Sequence, residues 1–197
     1  MPVAGGNTNI QDIKPSGDNI DFGAVNIQTL DAYGRKVSMY TYYGADEWDD
    51  GSAAGWYDDD GLVDVTFAQG QGLWVAAPDA ETTLTYSGAV GTSDVIVQLQ
   101  NGSTATANMM PVSMDIQDIL PAGSNIDYGD VNIQTLDAYG RKVDMYTYYG
   151  EEEYDDGSVA GWYTDDGLAD VSFELGQGLW VAAPDNETTI QFPAPEL

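Results

Sequence analysis

Shifted by 106 residues, the chain overlays itself. Asn26 to Val37 recurs unchanged as Asn132 to Val143, and Gly70 to Asp79 recurs as Gly176 to Asp185. Between residues 10–86 and 116–192, 58 of 77 positions are identical. A period near 100 residues matches a domain rather than the 20–50-residue unit of a solenoid. The sequence therefore predicts an internal duplication, with one unit over residues 1–90 and a second over residues 91–197.

Within each copy the signals are those of strands. Long stretches with a 3.6-residue period are missing, and short alternating runs are bounded by Gly, Asp and Pro. Residues 25–31 and 36–43 flank a turn at Ala32-Tyr33-Gly34. Val37, Met39, Thr41 and Tyr43 share one face, and Ser38, Tyr40 and Tyr42 share the other. Val63, Val65 and Phe67 form an inward set, and Leu73 to Ala77 and Thr82 to Tyr86 read as further strands. Asp12-Ile13 reads as a turn or a single helical turn before Pro15. Short strands with regular turns predict an all-β chain of two tandem β-sandwich domains, mostly antiparallel.

The copies are unequal. Val95, Val97 and Leu99 alternate with Ile96, Gln98 and Gln100 ahead of an Asn101-Gly102 turn. The matching positions of copy one would precede residue 1, so copy one is expected to lack its first strand. A missing strand leaves a sheet edge that invites pairing. The expected partners are other repeats of the same array, or a neighbouring chain, through that edge.

Composition removes whole classes of chemistry. His and Cys are absent, so the chain offers no catalytic triad with His, no thiolate and no imidazole metal ligand. With 33 acidic residues against 5 basic ones the formal net charge is −28, which repels phosphate and excludes nucleic acid as an expected partner. No apolar run reaches 18 residues, so no membrane insertion is expected. Apolar residues make up 43 %, enough to build a core despite the charge. No basic start followed by an apolar run marks a signal peptide in residues 1–30.

Some motifs resemble a known type of module. Asn108-Met-Met-Pro111 followed by Val112-Ser-Met-Asp-Ile116, then Ala68-Gln-Gly-Gln-Gly-Leu-Trp-Val75 and Thr83-Leu-Thr-Tyr-Ser-Gly88, is similar to the opening and closing halves of a β-sandwich repeat of bacterial secreted and cell-surface proteins. Gln69 and Leu175 stand where that module usually has Pro, and Met110 interrupts its usual Asn-Pro step. The resemblance implies an adhesin-like, non-catalytic module with an extracellular or cell-surface location. It also implies that the chain is a piece of a larger protein, and it supplies no catalytic residues.

The acids are concentrated. Residues 45–64 and 151–170 hold 16 of the 33, flanking Gly55-Trp56-Tyr57 and Gly161-Trp162-Tyr163. Carboxylates this close lie within the Debye length of about 8 Å at physiological salt and repel one another. A hard cation with six to eight oxygen ligands would neutralise them, and Ca²⁺ accepts loop geometry. The candidate ligands are Asp49, Asp50, Asp58, Asp60, Asp64, Asp155, Asp156, Asp165, Asp166 and Asp170. Solvation alone, with no bound ion, is the competing reading. Such acidity also suits a high-salt cytoplasm, although there the acids would be scattered over every surface.

The aromatics beside these acids have two readings as well. Tyr42, Trp48, Trp56, Tyr57, Tyr148, Trp162 and Tyr163 are candidates for a sugar-stacking platform, with Tyr40 and Tyr43 nearby. Alternatively they fill the core and pair across strands. Trp74 and Trp180, inside apolar runs, read as structural. Arg35 and Arg141 follow the hairpin turns, where Asp31 and Asp137 can pair with them. The expectation is a surface, adhesive or structural repeat module, with a carbohydrate-binding module as the alternative and an enzyme disfavoured.

Overall fold

The computed structural model describes residues 7–31, 35–45, 51–68, 71–79, 81–85, 93–108, 110, 112–137, 139–151 and 158–195. Copy one contributes β1 (Thr8–Asn9), β2 (Lys14–Ser16), β3 (Phe22–Leu30), β4 (Lys36–Tyr43), β5 (Gly55–Asp58), β6 (Gly61–Leu62), β7 (Thr66–Phe67), β8 (Leu73–Ala76) and β9 (Thr83–Thr85). Next come β10 (Val95–Gln98) and β11 (Gly102–Ala107). The remaining strands repeat the first nine: β12 (Met114–Asp115), β13 (Leu120–Ala122), β14 (Tyr128–Leu136), β15 (Lys142–Tyr149), β16 (Gly161–Thr164), β17 (Gly167–Leu168), β18 (Ser172–Phe173), β19 (Gly178–Ala183) and β20 (Thr189–Phe192). Helical structure among the described residues is confined to two single 3₁₀ turns, Ile10–Asp12 and Ile116–Asp118. The chain is all-β, and the strand pairs are antiparallel. Among the described residues no helix is long and apolar enough to cross a membrane.

Each sheet draws its strands from one side of the duplication. Copy one builds a five-stranded sheet in the order β6-β5-β4-β3-β8, with β2-β9 and β1-β7 as separate pairs. Copy two builds β11-β19-β14-β15-β16-β17, β10-β20-β13 and β12-β18. The registers match. Tyr42 lies opposite Trp56 as Tyr148 lies opposite Trp162, and Ile27 opposite Val75 as Ile133 opposite Val181. The hydrophobic residues form two separate clusters, one per copy.

The faces follow strand alternation. Tyr40 and Tyr42 point inward with Val25 and Ile27, while Val37 and Met39 on the opposite face are exposed. Val63 and Phe67 are buried as expected. Val95 and Val97 pack on the core with fully buried Leu99, and Ile96 is exposed. Trp74 and Trp180 lie on the opposite face. Leu73 and Leu179 take the inward positions, so each Trp falls on the outer face, with Lys36 Nζ 4.9 Å above one ring and Lys142 Nζ 5.3 Å above the other. The Nε1 of Trp180 and the Oε1 of its cross-strand neighbour Gln134 are buried there without partners.

Among the described residues the two copies differ in strand content. In copy two β11 pairs along the whole of β19, and β10 pairs with β20. Among the described residues β8 pairs with β3 alone and β9 with β2 alone. The cores differ accordingly. Among the described residues the hydrophobic core cluster holds ten buried residues in copy one and seventeen in copy two, and the surplus includes Leu99, Met110, Val181, Ala183 and Ile190. Val181 and Ile190 are fully buried, whereas their counterparts Val75 and Leu84 are only partly so. The copies touch where Gly72 meets Ala105, whose carbonyl oxygen lies 2.6 Å from the Cβ position of that glycine, and where Gly140 meets the Trp74 ring. Gly140 sits in the turn between β14 and β15 at φ +74°, as a turn Gly can.

Candidate functional site

The Gly-Trp-Tyr strand is held by a glutamine. The 3₁₀ turn is capped by Asn9, whose side chain accepts a 2.9 Å bond from the Gln11 N–H; Asp115 serves Gln117 in the same way at 2.8 Å. This capping oxygen satisfies a backbone donor that the turn itself leaves open. So placed, Gln11 Nε2 donates to the carbonyls of Trp56 (2.9 Å) and Val63 (2.7 Å), and its Oε1 accepts from Trp56 N–H (3.1 Å). Gln117 repeats all three, to Trp162 O (3.0 Å), Ala169 O (2.7 Å) and from Trp162 N–H (3.0 Å). One amide side chain thus replaces a strand on this edge of the hairpin. The close approach explains the glycine. A Cβ at Gly161 would lie 2.6 Å from Gln117 Oε1 and 3.0 Å from Leu168 Cδ1.

The tryptophan of the motif points into the core. Trp56 and Trp162 are both 0 % exposed, and each Nε1 donates to a backbone carbonyl, Ile13 O at 2.8 Å and Ile119 O at 2.7 Å. Burying such a ring stabilises by roughly 4–6 kcal/mol on area grounds, before conformational entropy is subtracted. Tyr42 and Tyr148, 8 % and 9 % exposed, meet these indoles edge-on at 5.4 and 5.3 Å. Burial holds the Tyr148 phenol above its ordinary pKa, with Asp127 and Glu151 adding to the effect, and it does the same for Tyr42 with Asp21. The expected sugar platform is therefore corrected at four positions: Tyr42, Trp56, Tyr148 and Trp162 have no face turned to solvent. Trp48 lies outside the described residues.

Tyr57 and Tyr163 remain at the surface, half-buried. Their hydroxyls donate to Ala53 O and Val159 O, both at 2.7 Å, and their rings meet Tyr43 and Tyr149 edge-on at 5.8 Å. In copy two this pair borders a cleft of about 500 Å³. It forms because β16 pairs with β15 only from Thr147 to Tyr149, leaving the first half of β15 uncovered on that side. Val143, Asp144, Met145, Thr147, Thr164, Asp165, Asp166 and Val171 line it with the two tyrosines and Tyr146. Tyr146 has its pKa raised, by burial first and then by the Asp144 carboxylate.

The acidic residues hold turns. Asp58 Oδ1 accepts from Asp60 N–H at 2.9 Å, closing the β5–β6 turn, and in copy two Thr164 Oγ1 does the same for Asp166 at 3.2 Å. That a threonine serves equally shows that Asp58 works there as an oxygen acceptor, not through its charge. Asp64 accepts from Asn9 Nδ2 at 2.7 Å. Asp60, Asp165, Asp166 and Asp170 are exposed. Asp49, Asp50, Asp155 and Asp156 lie outside the described residues, and no three acidic side chains among the described ones converge to hold a metal ion.

The paired arginines are as expected. Arg35 Nε lies 2.8 Å from Asp31, and Arg141 Nη2 lies 2.6 Å from Asp137. Bonds from the Arg141 backbone and side chain hold the Asp137 carboxyl below its ordinary pKa. Sequence reading passed over two polar knots. Asn108 is fully buried, and its Nδ2 donates to Val112 O and Phe173 O, both at 2.8 Å, while Oδ1 accepts from Met110 N–H at 3.0 Å. Asp185 accepts from Thr188 Oγ1 at 2.8 Å and from Asn125 Nδ2 at 3.2 Å, which lowers its pKa.

Neither a family model, nor a curated protein, nor a solved structure matches this chain.

Proposed function

We propose that the chain is a pair of tandem β-sandwich units acting as a non-catalytic surface module, adhesive or structural, of an extracellular protein. The observation that carries this reading is the repetition of the whole strand order and register in the two copies, each with its own core. Units joined in series suit a spacer or a display scaffold. Pulled from its ends, the chain unfolds in two steps. Units of about 80 and about 100 residues give contour gains of roughly 270 and 350 Å at ~3.4 Å per residue. One fused step would sink the two-unit reading. Antibody labelling of intact source cells tests the location, and a signal that needs permeabilised cells would overturn it.

Carbohydrate binding is the second reading, favoured by the cleft where Tyr149 and Tyr163 stand beside Asp144, Asp165 and Asp166. Phenol faces and carboxylate acceptors are the groups that recognise sugar rings and hydroxyls. A soluble glycan that binds wild type and fails on Tyr163→Ala supports it; silence across a broad glycan panel refutes it. Ca²⁺ as counterion to segments 45–64 and 151–170 belongs to the same proposal, with its support in their charge density.

A further inference from the structure

We infer that the cleft of copy two receives an amine-bearing saccharide, with its protonated amine among the carboxylates of Asp144, Asp165 and Asp166 and a sugar ring against Tyr149 and Tyr163. This deepens the carbohydrate reading and rests on it. The cleft, about 500 Å³, falls in the range of about 300–1,000 Å³ typical of small-ligand sites. Its lining holds three carboxylates and neither Lys nor Arg. The ion pairs among the described residues are Arg35 with Asp31 and Arg141 with Asp137, so these three acids have no counter-charge there. The Asp144 carboxylate accepts a 3.1 Å bond from the neutral Thr135 Oγ1, which leaves its charge in place.

A second observation, independent of charge, points to a ligand. Tyr146 lines the cleft and is 6 % exposed, yet its hydroxyl makes no hydrogen bond with any described residue. A hydroxyl so enclosed costs stability until something bonds it. A ligand hydroxyl or amine seated in the cleft supplies that partner. The two outer tyrosines are already fixed. The Tyr163 hydroxyl donates to Val159 O at 2.7 Å, and its ring meets Tyr149 edge-on at 5.8 Å. Rings held in advance take up a sugar face with little further ordering. Carboxylates accept from ring hydroxyls and from an ammonium alike, but only the ammonium offsets their mutual repulsion. Neutral sugars therefore bind more weakly at this cleft, and acidic sugars are repelled.

The probes are a β-1,4-linked glucosamine tetramer, its fully N-acetylated counterpart and spermidine. Each is titrated by calorimetry into the intact chain in a mildly acidic, low-salt buffer, where the free amines carry protons. Expected is binding of the glucosamine tetramer roughly tenfold tighter than of either other probe. Tyr146→Phe removes only the unpartnered hydroxyl, so it does not lower the urea midpoint of copy two and weakens tetramer binding about fivefold. Asp165→Asn with Asp166→Asn weakens it about fivefold as well, and added salt narrows that gap. Equal binding of the acetylated tetramer overturns the amine assignment and leaves the carbohydrate reading standing. Spermidine binding as tightly as the glucosamine tetramer reduces the effect to bulk charge and overturns the inference. So does undiminished binding to Tyr146→Phe, which places the amine elsewhere on the acidic surface. No binding of either tetramer overturns it too, and silence across the wider glycan panel then removes the carbohydrate reading with it.

Discussion

Replacing Gln117 by Ala should destabilise copy two while leaving copy one untouched. The side chain makes three hydrogen bonds to backbone groups of β16 and the segment after β17, at 3.0, 2.7 and 3.0 Å. Each contributes about 1 kcal/mol net, and orphaned buried groups cost more than the mean, so the loss is about 2–4 kcal/mol. With a urea slope of about 1.5 kcal/mol/M, a 3 kcal/mol loss lowers the midpoint of that unit by about 2 M. Gln11→Ala should move the other transition by a similar amount, because its three bonds have the same partners in copy one. Gln117→Glu sharpens the test. It keeps an oxygen for Trp162 N–H but turns a carboxylate oxygen toward two carbonyls, so it should be worse than Ala. Urea melts followed by circular dichroism and Trp fluorescence read each transition. A shift below about 0.3 M for Ala, or a Glu variant as stable as wild type, would refute the reasoning.

Gly161→Ala should cost about 1–3 kcal/mol in the same unit, because its Cβ displaces Gln117 Oε1 and Leu168 Cδ1; an unchanged urea midpoint would contradict that. Tyr42, Tyr146 and Tyr148 have folded pKa values raised above the ordinary value near 10. Their contribution to stability is therefore complete below pH 10 and declines as pH rises beyond it. Absorbance at 295 nm should show a late tyrosinate fraction that appears together with unfolding. Arg141→Gln removes an exposed ion pair and should shift the urea midpoint of copy two far less than Gln117→Ala does, and less still at high salt. Chelation should lower the melting temperature and millimolar Ca²⁺ restore it; a melt unchanged by both would remove the calcium proposal.

Much of the fold was legible because alternation is a local signal. Val95, Val97 and Leu99 declared a buried face by their spacing. The apolar run around Trp74 did not say which of its residues face inward; strand parity with Leu73 sends Trp74 outward. For Tyr40 and Tyr42 alternation gave a shared face but not its side, and their burial settles core filling over a sugar platform. The glutamine anchor left no trace in the sequence. Its partners lie 45 and 52 residues away, they are backbone groups, and backbone groups carry no residue identity. The acidic turns show in the sequence as charge, but their role as acceptors does not, because Thr164 fills in copy two the place that Asp58 fills in copy one.

That anchor has a consequence for how the unit can vary. Because Gln11 and Gln117 grip only main-chain atoms, the bonds they make do not depend on which side chain stands at positions 63 and 169. The two copies have already diverged there, with Asp58 against Thr164 and Val63 against Ala169, under an identical grip. A turn moored by its backbone can change at such positions without slackening, while Gly161 and Trp162 stay fixed by what they touch.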